Sequence, residues 1–121
     1  MTQVRSPLLT WLPPLALMGL IFFLSAQPDL SSGLGGWDLV LRKAAHMTEY
    51  ALLTFLWWRA LSTTVSSPRR ALALAYAIAV AYSVTDEFHQ TFVQGRHGSP
   101  VDVLIDATGA AIGAALILRR T

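Results

Sequence analysis

The sequence of 121 residues contains no cysteine and few charged side chains. Without cysteine, disulfide bonds and thiolate metal sites are excluded, and the chain carries no information about its redox compartment. Lysine, arginine, aspartate and glutamate together make up 13% of the residues, whereas about 25% is typical of a soluble domain. The nine lysines and arginines are scattered along the chain, so the basic clusters of a nucleic-acid-binding protein are also missing, and no nucleic-acid partner is predicted.

Apolar residues dominate the composition instead. They account for 54% of the chain, and the mean hydropathy is +0.50. A chain of this length forms a single domain, and this one has too few polar side chains to cover a water-soluble core. The composition therefore predicts an integral membrane protein.

Four apolar runs are separated by segments rich in glycine, proline and polar residues, which predicts an all-α transmembrane bundle of four helices. The predicted helices are residues 8–26, 39–61, 71–90 and 101–118. Each run is close to the roughly 20 residues that cross a bilayer. Because proline interrupts helical hydrogen bonding, Pro13 and Pro14 predict that the first helix starts near Pro13 or has a kinked entry.

The first run also has features of a cleaved secretory signal, since Arg5 precedes an apolar stretch. The run is long for the apolar part of a signal, and no clear small-x-small cleavage site follows it. We therefore expect the first helix to be retained as a membrane anchor.

Basic residues are unevenly divided between the two ends of such a bundle. Short connections make the helices alternate in direction, so both termini lie at one end. Six arginines fall at that end: Arg5, Arg59, Arg69, Arg70, Arg119 and Arg120. The other end receives Arg42, Lys43 and Arg96, and all seven acidic residues lie in that half. The positive-inside rule then predicts cytoplasmic N- and C-termini, with Trp11, Trp57 and Trp58 near the inner interface.

The second helix carries ionisable residues within its apolar run. Lys43, His46 and Tyr50 share one helical face, and Glu49 lies about 9 Å deeper than Lys43 at about 1.5 Å per residue. A lone charge at that depth costs about 2.5–3.5 kcal/mol, so Glu49 is expected to face protein or a hydrated cavity. The plainer alternative is a His46–Glu49 pair that only holds helices together.

The third helix places a second polar group near its end. Tyr82, Asp86 and His89 share one face, Gln90 lies beside them, and Glu87 points about 100° away. The plainer alternative is a helix end that reaches the lipid headgroups, where charge costs little.

The fourth helix starts with ordinary capping features: Ser99 as the cap, Pro100 at the first position and Asp102 in the first turn. Asp106 lies a turn deeper, on the face shared by Asp102 and the Gly109-x-x-x-Gly113 motif. Such small-residue surfaces let helices approach closely, so we expect these acids to point into the bundle. The two glycines are equally a candidate surface for a homo-oligomer.

Three helices are thus expected to pool their polar side chains at one end of the bundle. A histidine near a carboxylate suits acid–base chemistry near neutral pH, and the candidate catalytic residues are His46, Glu49, Asp86 and His89. The candidate ligand-binding residues are Lys43, Tyr50, Glu87, Gln90, Arg96, Asp102 and Asp106. Arg96, on a glycine-flanked loop, offers a bidentate fork to a phosphate or carboxylate.

Other chemistries have weaker support in the sequence. No strong metal-ligand motif such as H-E-x-x-H occurs, so neither a metal nor a cofactor is predicted. Ser83, Thr85 and Ser99 lack the nucleophile-elbow context of a serine hydrolase.

Three motif blocks resemble the VanZ-like family of bacterial membrane proteins. They are Lys43-x-x-His46-x-x-Glu49-Tyr50, then Asp86-Glu87-x-His89-Gln90-x-Phe92, then Gly95-Arg96-x-x-Ser99-x-x-Asp102-Val103-Leu104-Ile105-Asp106-x-x-Gly109. The resemblance covers residues 20–118, and its specificity comes from three blocks in the right order. Two positions depart from the family pattern: Gln94 stands where proline is common, and Asp106 stands where asparagine is common.

The resemblance implies a multi-pass protein of the bacterial cytoplasmic membrane. The family's namesake is tied to resistance against the glycopeptide teicoplanin without an established reaction, so a link to antibiotic resistance is an expectation from the family alone. The residues themselves predict an outward-facing polar pocket for a phosphorylated or amphiphilic envelope molecule, such as a lipid headgroup or a lipid-linked cell-wall precursor. They do not decide between binding and catalysis. The alternatives are a small proton- or ion-coupled carrier and a purely structural bundle.

Overall fold

The computed structural model describes residues 7–25, 36–92 and 100–120, which form four α-helices. They are α1 (Pro7–Ser25), α2 (Gly36–Leu61), α3 (Pro68–Gln90) and α4 (Pro100–Arg120). The predicted all-α class with four helices is confirmed. Each helix end lies within three residues of its predicted position.

Proline marks three of the four helix starts, at Pro7, Pro68 and Pro100. A proline fits the first helical position because its missing N–H would have no partner there in any case. At α3, the Ser67 hydroxyl also caps the helix by accepting a hydrogen bond from the backbone N–H of Arg70 at 3.3 Å. Ser99, the predicted cap of α4, lies outside the described residues.

The proline pair in α1 does not delay the helix. Of the two alternatives for this pair, a start near Pro13 is wrong, because α1 begins at Pro7 and contains both Pro13 and Pro14; the kinked entry stays a prediction. Pro13 has no N–H, so it cannot bond to the carbonyl of Leu9 four residues earlier. Arg59 of α2 replaces that donor, since its Nη2 donates to the Leu9 carbonyl oxygen at 3.2 Å.

Three of the four described helices are long and apolar enough to cross a membrane: Pro7–Leu24, Pro68–Gln90 and Pro100–Arg120. The remaining helix, α2, has 26 residues but carries charged side chains along its length. In the described chain α2 packs against all three other helices, whereas α1 and α4 do not contact each other. The helix that is not itself a candidate membrane span is therefore the one that packs against all three that are.

Contacts near the helix ends show that consecutive helices run antiparallel. Arg59, late in α2, reaches Leu9, early in α1. Phe22, late in α1, stacks on His89, late in α3, with ring centroids 4.4 Å apart. The end formed by the last turns of α1 and α3 and the first turns of α2 and α4 is called the polar end below. The opposite end, called the arginine end, carries Arg59, Arg69, Arg70, Arg119 and Arg120.

Helices α2 and α4 approach each other closely at two glycines. A Cβ atom added at Gly109 would clash with the Met47 carbonyl oxygen, and one at Gly113 would lie 2.8 Å from that of Ala51. Both glycines are therefore packed against α2 within the chain, as expected of a small-residue surface. A homo-oligomer formed through them stays a prediction.

Gly109→Ala is expected to destabilise the protein by about 1–3 kcal/mol, because the added methyl group must push α2 and α4 apart. Gly19→Ala is the matched control, since a Cβ there meets no atom within 4 Å. Thermal unfolding of the detergent-purified proteins measures the difference. Equal melting temperatures for the two variants would contradict this account of the α2–α4 interface.

Candidate functional site

A hydrogen-bonded trio joins three helices at the polar end. Asp106 of α4 is almost completely buried, with 3% of its side chain exposed. One of its carboxylate oxygens lies 3.0 Å from Nδ1 of His46 on α2. The other accepts a hydrogen bond from the Ser83 hydroxyl on α3 at 2.8 Å. Asp106 thereby ties α2, α3 and α4 together through a single side chain.

The bond to Asp106 determines how His46 presents its ring. A carboxylate only accepts hydrogen bonds, so Nδ1 of His46 carries the hydrogen and Nε2 of the neutral imidazole keeps its lone pair. The side chain of His46 is 26% exposed. In the described chain its ring nitrogens have one hydrogen-bond partner, Asp106. His46 is therefore an oriented acceptor that reaches the surface.

A second ionic contact lies one turn nearer the polar end. Lys43 of α2 pairs with Asp102 of α4, and both side chains are partly exposed. This ion pair and the bond between His46 and Asp106 are two successive polar links between α2 and α4. Further along the same interface, Gly109 packs against α2. Asp102 and Asp106, the acids of α4 predicted to point into the bundle, both contact α2.

Asp86, Tyr50 and Glu49 complete the cluster. The side-chain amide of buried Gln90 donates to buried Asp86 at 3.4 Å. Tyr50 is fully buried, and its hydroxyl has no hydrogen-bond partner in the described residues. Electrostatic interactions connect Tyr50 with Glu49, Asp86 and Asp106. Carboxylates from three helices thus converge around one buried tyrosine hydroxyl.

The partner of His46 differs from the one in the structural alternative, in which a His46–Glu49 pair only holds helices together. In the structure, Nδ1 of His46 bonds to Asp106 across the interface between α2 and α4. Glu49 is half-buried and interacts with His46 only through longer-range electrostatics. The reason is geometric: Glu49 lies on the same helix, whereas Asp106 meets the ring from the helix packed opposite.

Two predicted site residues lie away from this cluster. His89 turns towards α1, where its ring stacks on Phe22. Glu87 is buried and lines an apolar groove of about 550 Å³ between α3 and α4. The groove is also lined by Val84, Phe88, Val103 and Leu104. Glu87 and Asp86 therefore face different surroundings, as their 100° separation on the helix requires.

Ser83 is a site residue that the sequence suggested only as a weakly supported nucleophile. It lies three residues before Asp86 and seven before Gln90, so it shares their helical face, and that spacing was the available signal. Its hydroxyl bonds to Asp106 and not to His46, so the trio differs from a Ser–His–Asp nucleophile arrangement.

Arg96 lies outside the described residues. Within the described ranges, no group of three or more His, Asp or Glu side chains is placed to hold a metal ion.

Comparison with known proteins gives one match. A family model described as VanZ/LLP1 matches residues 10–120. The matched range includes every residue of the cluster described above. No curated protein and no solved structure matches the chain.

The His46–Asp106 contact is testable with a double-mutant cycle. His46→Ala and Asp106→Ala should each destabilise the protein, because each leaves a buried polar partner unsatisfied. The double variant should fall short of the sum by about 0.5–3 kcal/mol. Reversible unfolding in mixed micelles provides the measurement.

Thr48→Ala combined with Asp106→Ala is the matched control pair. Thr48 is exposed and bonds to the Ala44 carbonyl of its own helix, so this pair should be additive within about 0.3–0.5 kcal/mol. Additivity in both cycles would show that the His46–Asp106 bond does not contribute to folding.

Proposed function

This chain belongs to the VanZ/LLP1 family, and from that premise we propose that it is a multi-pass membrane protein whose polar end binds an envelope amphiphile. The ligand is a membrane lipid headgroup or a lipid-linked cell-wall precursor. One observation carries the proposal: interlocked polar side chains from α2, α3 and α4 are concentrated at one end of an apolar bundle, where Lys43 and His46 reach the surface.

The bundle's outer surface supports a membrane location for all four helices. Large apolar side chains are exposed along the helices, including Leu15, Phe23, Leu74, Val84, Leu104 and Leu116. With 26 residues, α2 is about 39 Å long at about 1.5 Å per residue, which exceeds a hydrocarbon core of about 30 Å. We propose that α2 crosses the membrane enclosed by the three apolar helices, which reduces the cost of its charges.

The proposed orientation follows from the charges. Cytoplasmic ends of membrane proteins are rich in lysine and arginine, so the arginine end faces the cytoplasm and both termini lie there. The polar end then faces outward, at the depth of the outer headgroups. The family implies the bacterial cytoplasmic membrane as the location.

The shape of the polar end suits an amphiphile better than a water-soluble ligand. The cluster supplies hydrogen-bonding groups, and the apolar groove between α3 and α4 lies on the other side of the Asp86–Glu87 pair. Its volume of about 550 Å³ falls within the range of roughly 300–1,000 Å³ usual for ligand pockets. A headgroup at the cluster and a hydrocarbon chain in the groove would use both features.

The other readings have less support. A proton-coupled carrier needs titratable groups along the whole path, and the arginine half of the described helices contains no acidic residue or histidine. A structural bundle explains the paired side chains but not the partly exposed ring of His46. If the site also catalyses a reaction, Nε2 of His46 is the acid–base atom and Asp106 orients it. The link to teicoplanin resistance comes from the family resemblance.

The proposed orientation is testable by labelling single cysteines, since the chain has none of its own. Phe92→Cys lies at the polar end and Thr64→Cys lies in the turn between α2 and α3; both positions are exposed. A membrane-impermeant maleimide should label the first in intact cells and the second only after permeabilisation. The reverse pattern would overturn the orientation.

Binding is testable by mass spectrometry of lipids that copurify with the protein. The double variant Lys43→Gln, Asp102→Asn removes both charges together, and Arg96→Ala removes the predicted anion fork; each should reduce one lipid class severalfold at unchanged expression. Arg119→Gln, at the arginine end, is the control and should retain the wild-type lipids. Identical lipid profiles in all four proteins would eliminate the proposed site.

A further inference from the structure

The unused hydrogen-bonding groups of the cluster define the chemistry of its ligand. Resting on the proposed function, we infer that the site selects headgroups that carry a primary ammonium group. The geometry behind the inference is that Nε2 of His46, the Glu49 carboxylate and the Tyr50 hydroxyl lie within four residues of α2 and have no hydrogen-bond partner among the described residues.

Most polar groups of the cluster are already engaged with one another. Both carboxylate oxygens of Asp106 accept hydrogen bonds, one from His46 and one from Ser83. The Lys43 ammonium is engaged by Asp102. These contacts hold the helices together. Because Lys43 binds Asp102, its ammonium group is already engaged within the protein.

The groups that remain are mainly acceptors. In the neutral imidazole of His46, Nδ1 donates to Asp106 and Nε2 presents a lone pair. Glu49 is half-buried and its carboxylate is an acceptor with several lone pairs. A ligand that binds here must therefore supply hydrogen-bond donors, and a charged donor suits Glu49 best because charge-assisted hydrogen bonds are about twice as strong as neutral ones.

The buried Tyr50 hydroxyl is an independent observation, in addition to the group of acidic side chains, that indicates a ligand site. Its side chain is fully buried, and its hydroxyl is unpaired in the described chain. The hydroxyl interacts electrostatically with Glu49, Asp86 and Asp106, and Tyr50 lies one turn from His46 on the same face of α2. Proteins rarely leave a buried hydroxyl without a partner, and this one can both accept from and donate to a ligand.

A primary ammonium group matches this set. Its three N–H donors and lack of acceptors complement two acceptors and one hydroxyl. A bare phosphate offers only acceptors, and a trimethylammonium group has the charge without any N–H. Two sources share the required chemistry: a phosphoethanolamine headgroup, and an amino-sugar or amino-acid group on a lipid-linked precursor.

The first test compares lipids with identical acyl chains. Native mass spectrometry of the purified full chain is titrated with phosphatidylethanolamine, phosphatidylcholine and phosphatidic acid. The ethanolamine lipid should bind about tenfold or more tightly than the choline lipid, since hydrogen bonds to a charged group are at stake. Equal or tighter binding of phosphatidylcholine or phosphatidic acid would overturn the inference.

A competition experiment separates the two ligand sources. A polyprenyl-linked amino sugar with a free amine and its N-acetylated form are each added to the protein loaded with phosphatidylethanolamine. Displacement by the free amine alone assigns the site to the precursor. Failure of both competitors assigns it to the phospholipid. Equal displacement by both forms would contradict recognition of an ammonium group.

Conservative variants connect the selectivity to the named atoms. Glu49→Gln keeps the shape but removes the charge, and Tyr50→Phe keeps the ring but removes the hydroxyl; both should lose most of the preference for the ethanolamine lipid. Arg119→Gln should keep it. Tyr50→Phe preserves the core volume, so it remains informative if Glu49→Gln fails to fold. Unchanged selectivity in a folded Tyr50→Phe protein would count against the assignment.

The outcomes also distinguish the inference from the proposed function. If lipid retention is unaffected by Lys43→Gln, Asp102→Asn, the proposed function fails. If retention depends on those residues but ethanolamine and choline lipids bind equally, the proposed function stands and the ammonium preference is wrong.

Discussion

The structure depends on one buried carboxylate. Asp106 lies between three helices with 3% of its side chain exposed, and it is stable there only because His46 and Ser83 each give it a hydrogen bond. Burying a charged group without such partners would cost several kcal/mol. The three helices must therefore pack in the register that brings both donors to Asp106. Gly109, one turn further, permits this register because it lets the backbones of α2 and α4 approach closely.

The same constraint explains why α2 lies where it does. It is the only described helix whose composition does not qualify it as a membrane span, and it contacts each of the other three. Two of its ionisable side chains find partners on α4, where Lys43 pairs with Asp102 and His46 bonds to Asp106. At the opposite end, Arg59 of α2 completes α1 by replacing the donor that Pro13 lacks. Helix α2 thus contributes contacts at both ends of the bundle.

Periodic and compositional features were predictable from the sequence, whereas partner choice was not. Apolar runs located the four helices, and the Gly109-x-x-x-Gly113 motif located a close helix contact. The partner of His46 was open, because a helical wheel relates residues of one helix and says nothing about which residue of α4 stands opposite. The role of Ser83 as a partner of Asp106 was not predicted for the same reason, since a serine in an apolar helix usually bonds to its own backbone. The alternative start of α1 near Pro13 was wrong because the compensating donor, Arg59, lies 50 residues from Leu9 in the sequence.

A polar network that serves only to join helices should leave none of its buried members unsatisfied, because an incomplete network costs more than an apolar core. The network here is complete around Asp106 but incomplete around Tyr50, whose buried hydroxyl has no partner in the described chain. Replacing that tyrosine by phenylalanine would remove the cost without changing the volume, so helix packing alone gives no reason to keep the hydroxyl. Tyr50 lies one turn from His46 on the same face of α2, and the side chain of His46 is partly exposed. Their position favours a ligand over a purely structural role.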